Sequence, residues 1–143
     1  MTREAVPHLL ARGGGSIVVI GSVNAVLPDV PIIEYSATKA ALANFAKGIS
    51  KEFGPKGIRV NTISPGPVAT DLWLADGGIA AQFADASGAS ASEVVDSVGA
   101  AAVTGRFTTP DEVADLAVFL AGDSAANITG SDIRIDGGYV ATL

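Results

Sequence analysis

The apolar positions along the chain change period five times, and each change marks an element. Residues 3–12, "REAVPHLLAR", carry helical spacing and run into three glycines, Gly13 to Gly15, that stop a helix. "SIVVIGS" (16–22) is a short, β-branched apolar run, the pattern of a parallel strand covered on both faces. From Ile33 to Phe53 the period is helical again, and Gly54-Pro55 closes it. "GIRVNTIS" (57–64) is a second strand ended by Pro65-Gly66-Pro67, and "PDEVADLAVFLAG" (110–122) a further helix. "SDIRIDGG" (131–138) alternates, with Ile133 and Ile135 on one face and Asp132, Arg134 and Asp136 on the other, as suits a sheet edge. Strand and helix in alternation predict an α/β fold with a parallel, Rossmann-like sheet of three strands and flanking helices.

Two local signatures refine the helix starts. Ser90 with Glu93, and Thr109 with Glu112, have capping-box spacing, and Pro110 falls on the first helical position of the second. The stretch 72–104 is rich in Ala, Gly, Ser and Asp and reads as a mobile excursion with one short helix near Ser90. The strand "SIVVIG" needs a partner on each side, and this chain supplies one on the "GIRVNTIS" side only, so its other edge is an exposed apolar template.

Composition narrows the chemistry. The chain has 143 residues, enough for one domain with a real core. Nine Lys+Arg against fifteen Asp+Glu give a net charge of −6, the wrong sign for a nucleic-acid backbone binder. With no cysteine and one histidine, His8, read as a solvated helix residue, zinc sites, disulfides and Cys or His catalysis are poorly supplied. No apolar run reaches the roughly 18 residues of a membrane span, and the first residues lack the pattern of a signal peptide. A soluble cytoplasmic protein is the expectation.

Within this frame one residue is out of place. Lys39 shares a helix stripe with Leu42, Ala46, Ile49 and Phe53, a face that should point inward, and stands one turn after Tyr35. Ser22 lies at the carboxyl end of the preceding strand, where open α/β sheets bind ligands. A phenol ordinarily titrates near pH 10, and an ammonium group a few Å away favours its ionised form. A serine hydroxyl can hold a substrate oxygen while a tyrosine gives or takes the proton. Ser22, Tyr35 and Lys39 are therefore candidate catalytic residues.

Ser22 placed thirteen residues before Tyr35, then "YSATK", "RVNTISPGPVAT" and "TGSDIRIDGG", in that order along essentially the whole chain, resemble the short-chain dehydrogenase/reductase family. The resemblance implies that Ser22 orients substrate, that Tyr35 transfers the proton, and that Lys39 also holds the nicotinamide ribose. It further implies that Pro65, Gly66 and Val68 pass the nicotinamide and that Thr70 offers the cofactor a hydroxyl. A Pro-Gly-Pro turn after a strand suits such a loop, because it fixes N–H and C=O groups that can meet a carboxamide. Asn61 is read as a structural hydrogen-bonder. The implied activity is hydride transfer between NAD or NADP and a carbonyl or secondary alcohol. The excursion, with Trp73, Ile79 and Phe83, would cover that substrate.

The resemblance also implies a departure. Family members carry a first strand with a Gly-rich turn that cradles the pyrophosphate, and "ARGGGS" cannot serve, since its glycines precede a strand and do not open a helix. Residues 1–143 thus read as the C-terminal part of such a domain, the rest either lost or supplied by another chain. Two functions follow: an oxidoreductase or its catalytic half, or a catalytically silent, truncated assembly module. The family's usual contacts, through the helices at 3–12 and 33–53 and through the last helix and strand, imply a homodimer or homotetramer, or a complex with a chain carrying the other half. Small residues Ala37, Ala40, Ala41 and Ala43 would let helices approach closely, and the Ile17 to Ile20 edge would be covered.

Overall fold

The computed structural model describes residues 2–142. Helix α1 (Thr2–Ala11) leads into strand β1 (Gly15–Ile20), and a 3-10 turn (Val23–Ala25) precedes the long helix α2 (Ile33–Phe53). Strand β2 (Ile58–Pro65) follows, then helices α3 (Asp71–Leu74), α4 (Ile79–Ser87), α5 (Ala91–Ala100) and α6 (Pro110–Ala121), and last strand β3 (Asp132–Ile135). The strands form one parallel sheet in the order β1-β2-β3, in register from Gly15–Ile58 to Ile20–Ile63 and from Thr62–Asp132 to Pro65–Ile135.

The two-residue period of the strands delivers apolar side chains to both faces of this sheet. On one face Ile17, Val19, Ile58 and Val60 pack with Val6 of α1 and Ala46 and Ile49 of α2. On the other, Val18, Ile63, Ile133 and Ile135 meet Val113, Leu116 and Leu120 of α6. Central strand β2 is buried along nearly its whole length, whereas β3 alternates between exposed and half-buried positions, as its sequence predicts. Asn61, fully buried, donates through Nδ2 to the Ile128 carbonyl at 2.8 Å and accepts the Ser131 N–H at 3.1 Å, a structural role.

The end of α6 is closed by side chains from the sheet. A helix leaves its last carbonyls without intrahelical partners. Here Arg59 donates to the Leu120, Ala121 and Gly122 carbonyls at 2.7, 3.2 and 3.0 Å, and the Ser16 hydroxyl adds a bond to Leu120 O at 3.0 Å.

The 72–104 stretch departs from its reading as an excursion with a single short helix. It is largely helical, holding most of α3 and all of α4 and α5, and only α5, with the predicted Ser90–Glu93 capping box, stands where a helix was expected. The apolar faces there rest on alanine, with Ala80 and Ala84 buried, so the hydrophobic contrast that reveals a helix is faint. Trp73 packs edge-on against buried Phe107, with 5.3 Å between ring centroids, while Ile79 is half-buried and Phe83 exposed. His8 is exposed, as read.

Candidate active site

Strand β1 delivers Ser22 to the carboxyl end of the sheet through Gly21, whose N–H donates to Ile63 O at 2.7 Å. A Cβ at Gly21 would stand 2.8 Å from both Ser64 Oγ and the Thr62 methyl, so no larger residue fits this close approach. Ser22 is extended and 7% exposed, and it caps the 3-10 turn by accepting the Asn24 N–H at 3.1 Å. Its hydroxyl donates in turn to Asn24 Oδ1 at 3.1 Å.

Helix α2 returns to the same end of the sheet and packs against this turn. Its approach is braced by buried Ser36, whose hydroxyl donates to Ile32 O and accepts the Asp29 N–H. Lys39 lies on the inner stripe of α2 as its spacing suggests, with Thr38 and Ala40 on either side of it exposed. It is half-buried, above the level where Ala46 and Ile49 enter the core, and its Nζ donates to the Ile20 carbonyl at 3.0 Å. That bond resolves the misplaced lysine, because the charge reaches the open end of β1 and never enters the core. The same ammonium lies 5.5 Å from the ring centroid of Tyr35, which is 43% exposed. Ser22, Tyr35 and Lys39 therefore share the β1–α2 end of the molecule. A cavity of about 210 Å³ lined by Ser22, Val26, Ser64, Asp132, Arg134 and Thr142 opens beside them, and neither Tyr35 nor Lys39 lines it.

The segment from Pro65 to Thr70 is pinned on two sides. Gly66 N–H donates to Ile135 O at 3.0 Å, and a Cβ at Gly66 would stand 2.9 Å from that of Asp136. Thr108 brackets Val68 in a parallel bridge, donating its N–H to Pro67 O at 3.0 Å and accepting from Ala69 N–H at 2.9 Å. Its hydroxyl reaches Ile135 O at 3.2 Å. Among the described residues the Val68 N–H has no partner, and the Thr70 hydroxyl makes a single long bond, 3.4 Å, to Val68 O. These two groups, with the remaining protons of Lys39 Nζ, are donors of the kind a carboxamide and a ribose hydroxyl accept, so the loop fits a nicotinamide nucleoside.

Several residues around the site carry no signal in the sequence: Asn24 beside Ser22, Thr108 against the loop, and buried Ser64, whose Oγ finds no partner among the described residues. Away from the site, Arg106 is another residue whose role the sequence does not signal. It grips the Glu112 carboxylate with two N–H groups at 2.6 and 2.9 Å, while Glu112 accepts the Thr109 N–H at 2.8 Å in the predicted capping box. The Arg106 hydrogen bonds, then that of the Thr109 backbone, pull the Glu112 carboxyl down from 4.5 to about 2. A carboxyl whose folded value lies below its unfolded one stabilises the fold above the unfolded value and stops doing so as pH falls through the folded one. The melting-temperature difference between the native chain and Glu112→Gln should thus be full above about pH 5 and close as pH approaches about 2. Thermal melts across that window give the answer, and a difference independent of pH would refute the linkage.

Comparison with known proteins places these features in a lineage. Residues 1–140 match the family model described as enoyl-(acyl carrier protein) reductase. D-threitol dehydrogenase of Mycolicibacterium smegmatis is 38% identical over 143 residues, covering 97% of this chain and 48% of the relative. The solved structure of L-sorbose reductase from Gluconobacter frateurii, complexed with NADPH and L-sorbose, is 38% identical with a TM-score of 0.88, covering 99% of this chain and 53% of that one. The solved structure of a Beutenbergia cavernae protein described as a putative NAD(P) dependent gluconate 5-dehydrogenase, with NADP bound at low occupancy, is 30% identical with a TM-score of 0.83, covering 99% of this chain and 52% of that one. The chain spans about half the length of the relatives it matches.

Proposed function

The chain belongs to the short-chain dehydrogenase/reductase family, and from that premise we propose that it carries the catalytic half of an oxidoreductase acting on a small carbonyl or secondary alcohol with NAD or NADP. The observation that supports this reading is the 3.0 Å bond from Lys39 Nζ to the carbonyl of Ile20, two residues before Ser22, with the Tyr35 ring centroid 5.5 Å from the same ammonium. The nicotinamide, when bound, exchanges hydride with the substrate carbon. Tyr35 gives the substrate oxygen its proton, or takes it in the reverse direction, while Ser22 holds that oxygen in place. Lys39 supplies positive charge beside the phenol and a donor for the ribose. Val68 N–H and the Thr70 hydroxyl hold the carboxamide end.

The names of the relatives suggest the first substrates to try, since one is a polyol dehydrogenase and another a ketose reductase. Full-length protein should oxidise D-threitol or a related polyol, or reduce L-sorbose or a related ketose, with a matching change in reduced nicotinamide. Loss of this activity in every form of the protein across both substrate classes would leave the silent assembly module as the better reading.

Coenzyme binding by residues 1–143 alone is a separate expectation. The groups named above meet the nicotinamide end, and on this reading the pyrophosphate is held by residues outside the 143, in the part of the relatives that the chain does not span. A diphosphate ordinarily gains much of its hold from a helix N-terminus and its amides. Titration calorimetry with NADH and NADPH should therefore give dissociation constants above about 1 µM, short of roughly 8 kcal/mol. Tighter binding of either would reveal a phosphate site within these residues.

A further inference from the structure

Resting on the reading that Val68 N–H and the Thr70 hydroxyl hold the carboxamide end of the coenzyme, we infer that Asp136 is a positioning residue for it, fixing the Gly66–Val68 segment by locking the turn on which that segment sits. Asp136 directly follows β3, and both of its carboxylate oxygens are taken by backbone N–H groups of its own turn. Oδ1 accepts from Gly138 at 3.0 Å and Oδ2 from Val140 at 3.0 Å, while the Asp136 carbonyl accepts the Tyr139 N–H at 3.1 Å. Gly137 and Gly138 take left-handed φ values of 61° and 82°, which lets the chain double back within these few residues. Among the described residues no cation stands within ion-pair distance of this carboxylate, so its hydrogen bonds belong to the turn alone.

The turn carries the loop. A Cβ at Gly66 would stand 2.9 Å from the Cβ of Asp136 and 3.0 Å from its Cα, so the two chains lie in direct contact. Gly66 N–H donates to the carbonyl of Ile135, the residue before Asp136, at 3.0 Å. The far side of the turn is tied as well, because Gly137 O accepts the Thr104 N–H at 3.1 Å. Two residues on from Gly66, Thr108 brackets Val68 in the parallel bridge. A residue bracketed in this way turns its own N–H and C=O away from the bridging chain. Thr108 therefore sets the direction of the Val68 N–H, and the seat of Gly66 on Asp136 sets its position. Asp136 itself touches no reacting atom and acts through Gly66.

Asp136→Asn keeps the size of the side chain and one acceptor but sets an NH2 group against the other N–H, so one of the two bonds is lost. The full-length protein is titrated with NADH or NADPH, whichever it binds more tightly, and with the matching ADP-ribose or 2′-phospho-ADP-ribose, which lacks the nicotinamide. The variant should bind the reduced coenzyme about two- to tenfold more weakly, the range of one neutral hydrogen bond, and the ADP-ribose unchanged. Gly66→Ala, which pushes the loop away from Asp136, should give the same one-sided loss. The double variant should lose no more than the worse of the two, since both act through one contact. A turn that only braces the fold would lower the melting temperature and leave both affinities alone, or weaken both ligands alike. Either pattern overturns the inference, and so does simple addition of the two losses. A measurement without ligand separates this from the function proposed above. Hydrogen exchange of the Gly66 amide should speed up about tenfold or more in Asp136→Asn, and an unchanged rate would show that the turn does not hold the loop. A faster Gly66 amide in a protein that binds neither reduced coenzyme would confirm that hold, yet overturn the coenzyme role together with the proposed function.

Discussion

Replacing Tyr35 with phenylalanine in the full-length protein is expected to lower turnover by at least ~10²-fold while leaving the melting temperature nearly unchanged. The two halves of that expectation rest on different atoms. The ring is 43% exposed, and its contact with the Lys39 ammonium, 5.5 Å from the centroid, survives in phenylalanine. What disappears is the one proton that can be handed to the substrate oxygen. Near-normal turnover in Tyr35→Phe would therefore remove the tyrosine from the chemistry. Lys39→Ala is the complementary variant. It takes away both the ammonium beside the phenol and the bond to Ile20 O that fastens α2 to β1, so coenzyme affinity and rate should fall together. A loss confined to either quantity would mean that one ammonium does not serve both.

What could be read from the sequence was what local chemistry writes into it. The limits of α2 follow from a helical period and the Gly54-Pro55 stop, and both capping boxes follow from side chains that satisfy amides three residues away. The order of the sheet followed from β-branched runs and from the polar alternation of β3. Helix α4 escaped because alanines carry its buried face, and apolar period is a weak signal when the apolar residue is nearly as small as its polar neighbours. The site shows the same division. Ser22, Tyr35 and Lys39 stand out by type and spacing, and the spacing put Lys39 on the inward stripe, but periodicity reports the direction of a side chain and is silent on where the sheet beneath it ends. Asn24 and Thr108 gain their meaning only once the chain folds. The first depends on the turn that brings Leu27 O to its amide, and the second on a contact forty residues distant in sequence between Thr108 and the Pro67–Ala69 segment.

The second large effect expected is on association. Among the described residues strand β1 is hydrogen-bonded on one side only, by β2, and its six residues, "GSIVVI", contain neither a charge nor a proline to blunt the open side. Its last residue, Ile20, is 48% exposed, and beyond it the chain presents Val26 (63%), Val30 (81%) and Ile33 (61%). Exposed apolar side chains and an unpaired strand edge each favour association. On the outer side of α2, Ala37, Ala40 and Ala41 are exposed, leaving a shallow face on which a second helix could settle closely. Residues 1–143 in isolation should consequently run as a dimer or larger species at micromolar concentration, or bind a chain that supplies the remainder of the domain. In either assembly the amides of residues 16–20 should exchange at least ~10²-fold more slowly than in the dilute chain, because strand pairing takes them out of the fraying regime. Val30→Asp, which charges the most exposed apolar residue of this patch, should lower the associated fraction. Light scattering combined with hydrogen exchange decides the matter, and a monodisperse monomer whose β1 amides are already well protected would show that the open edge needs no partner.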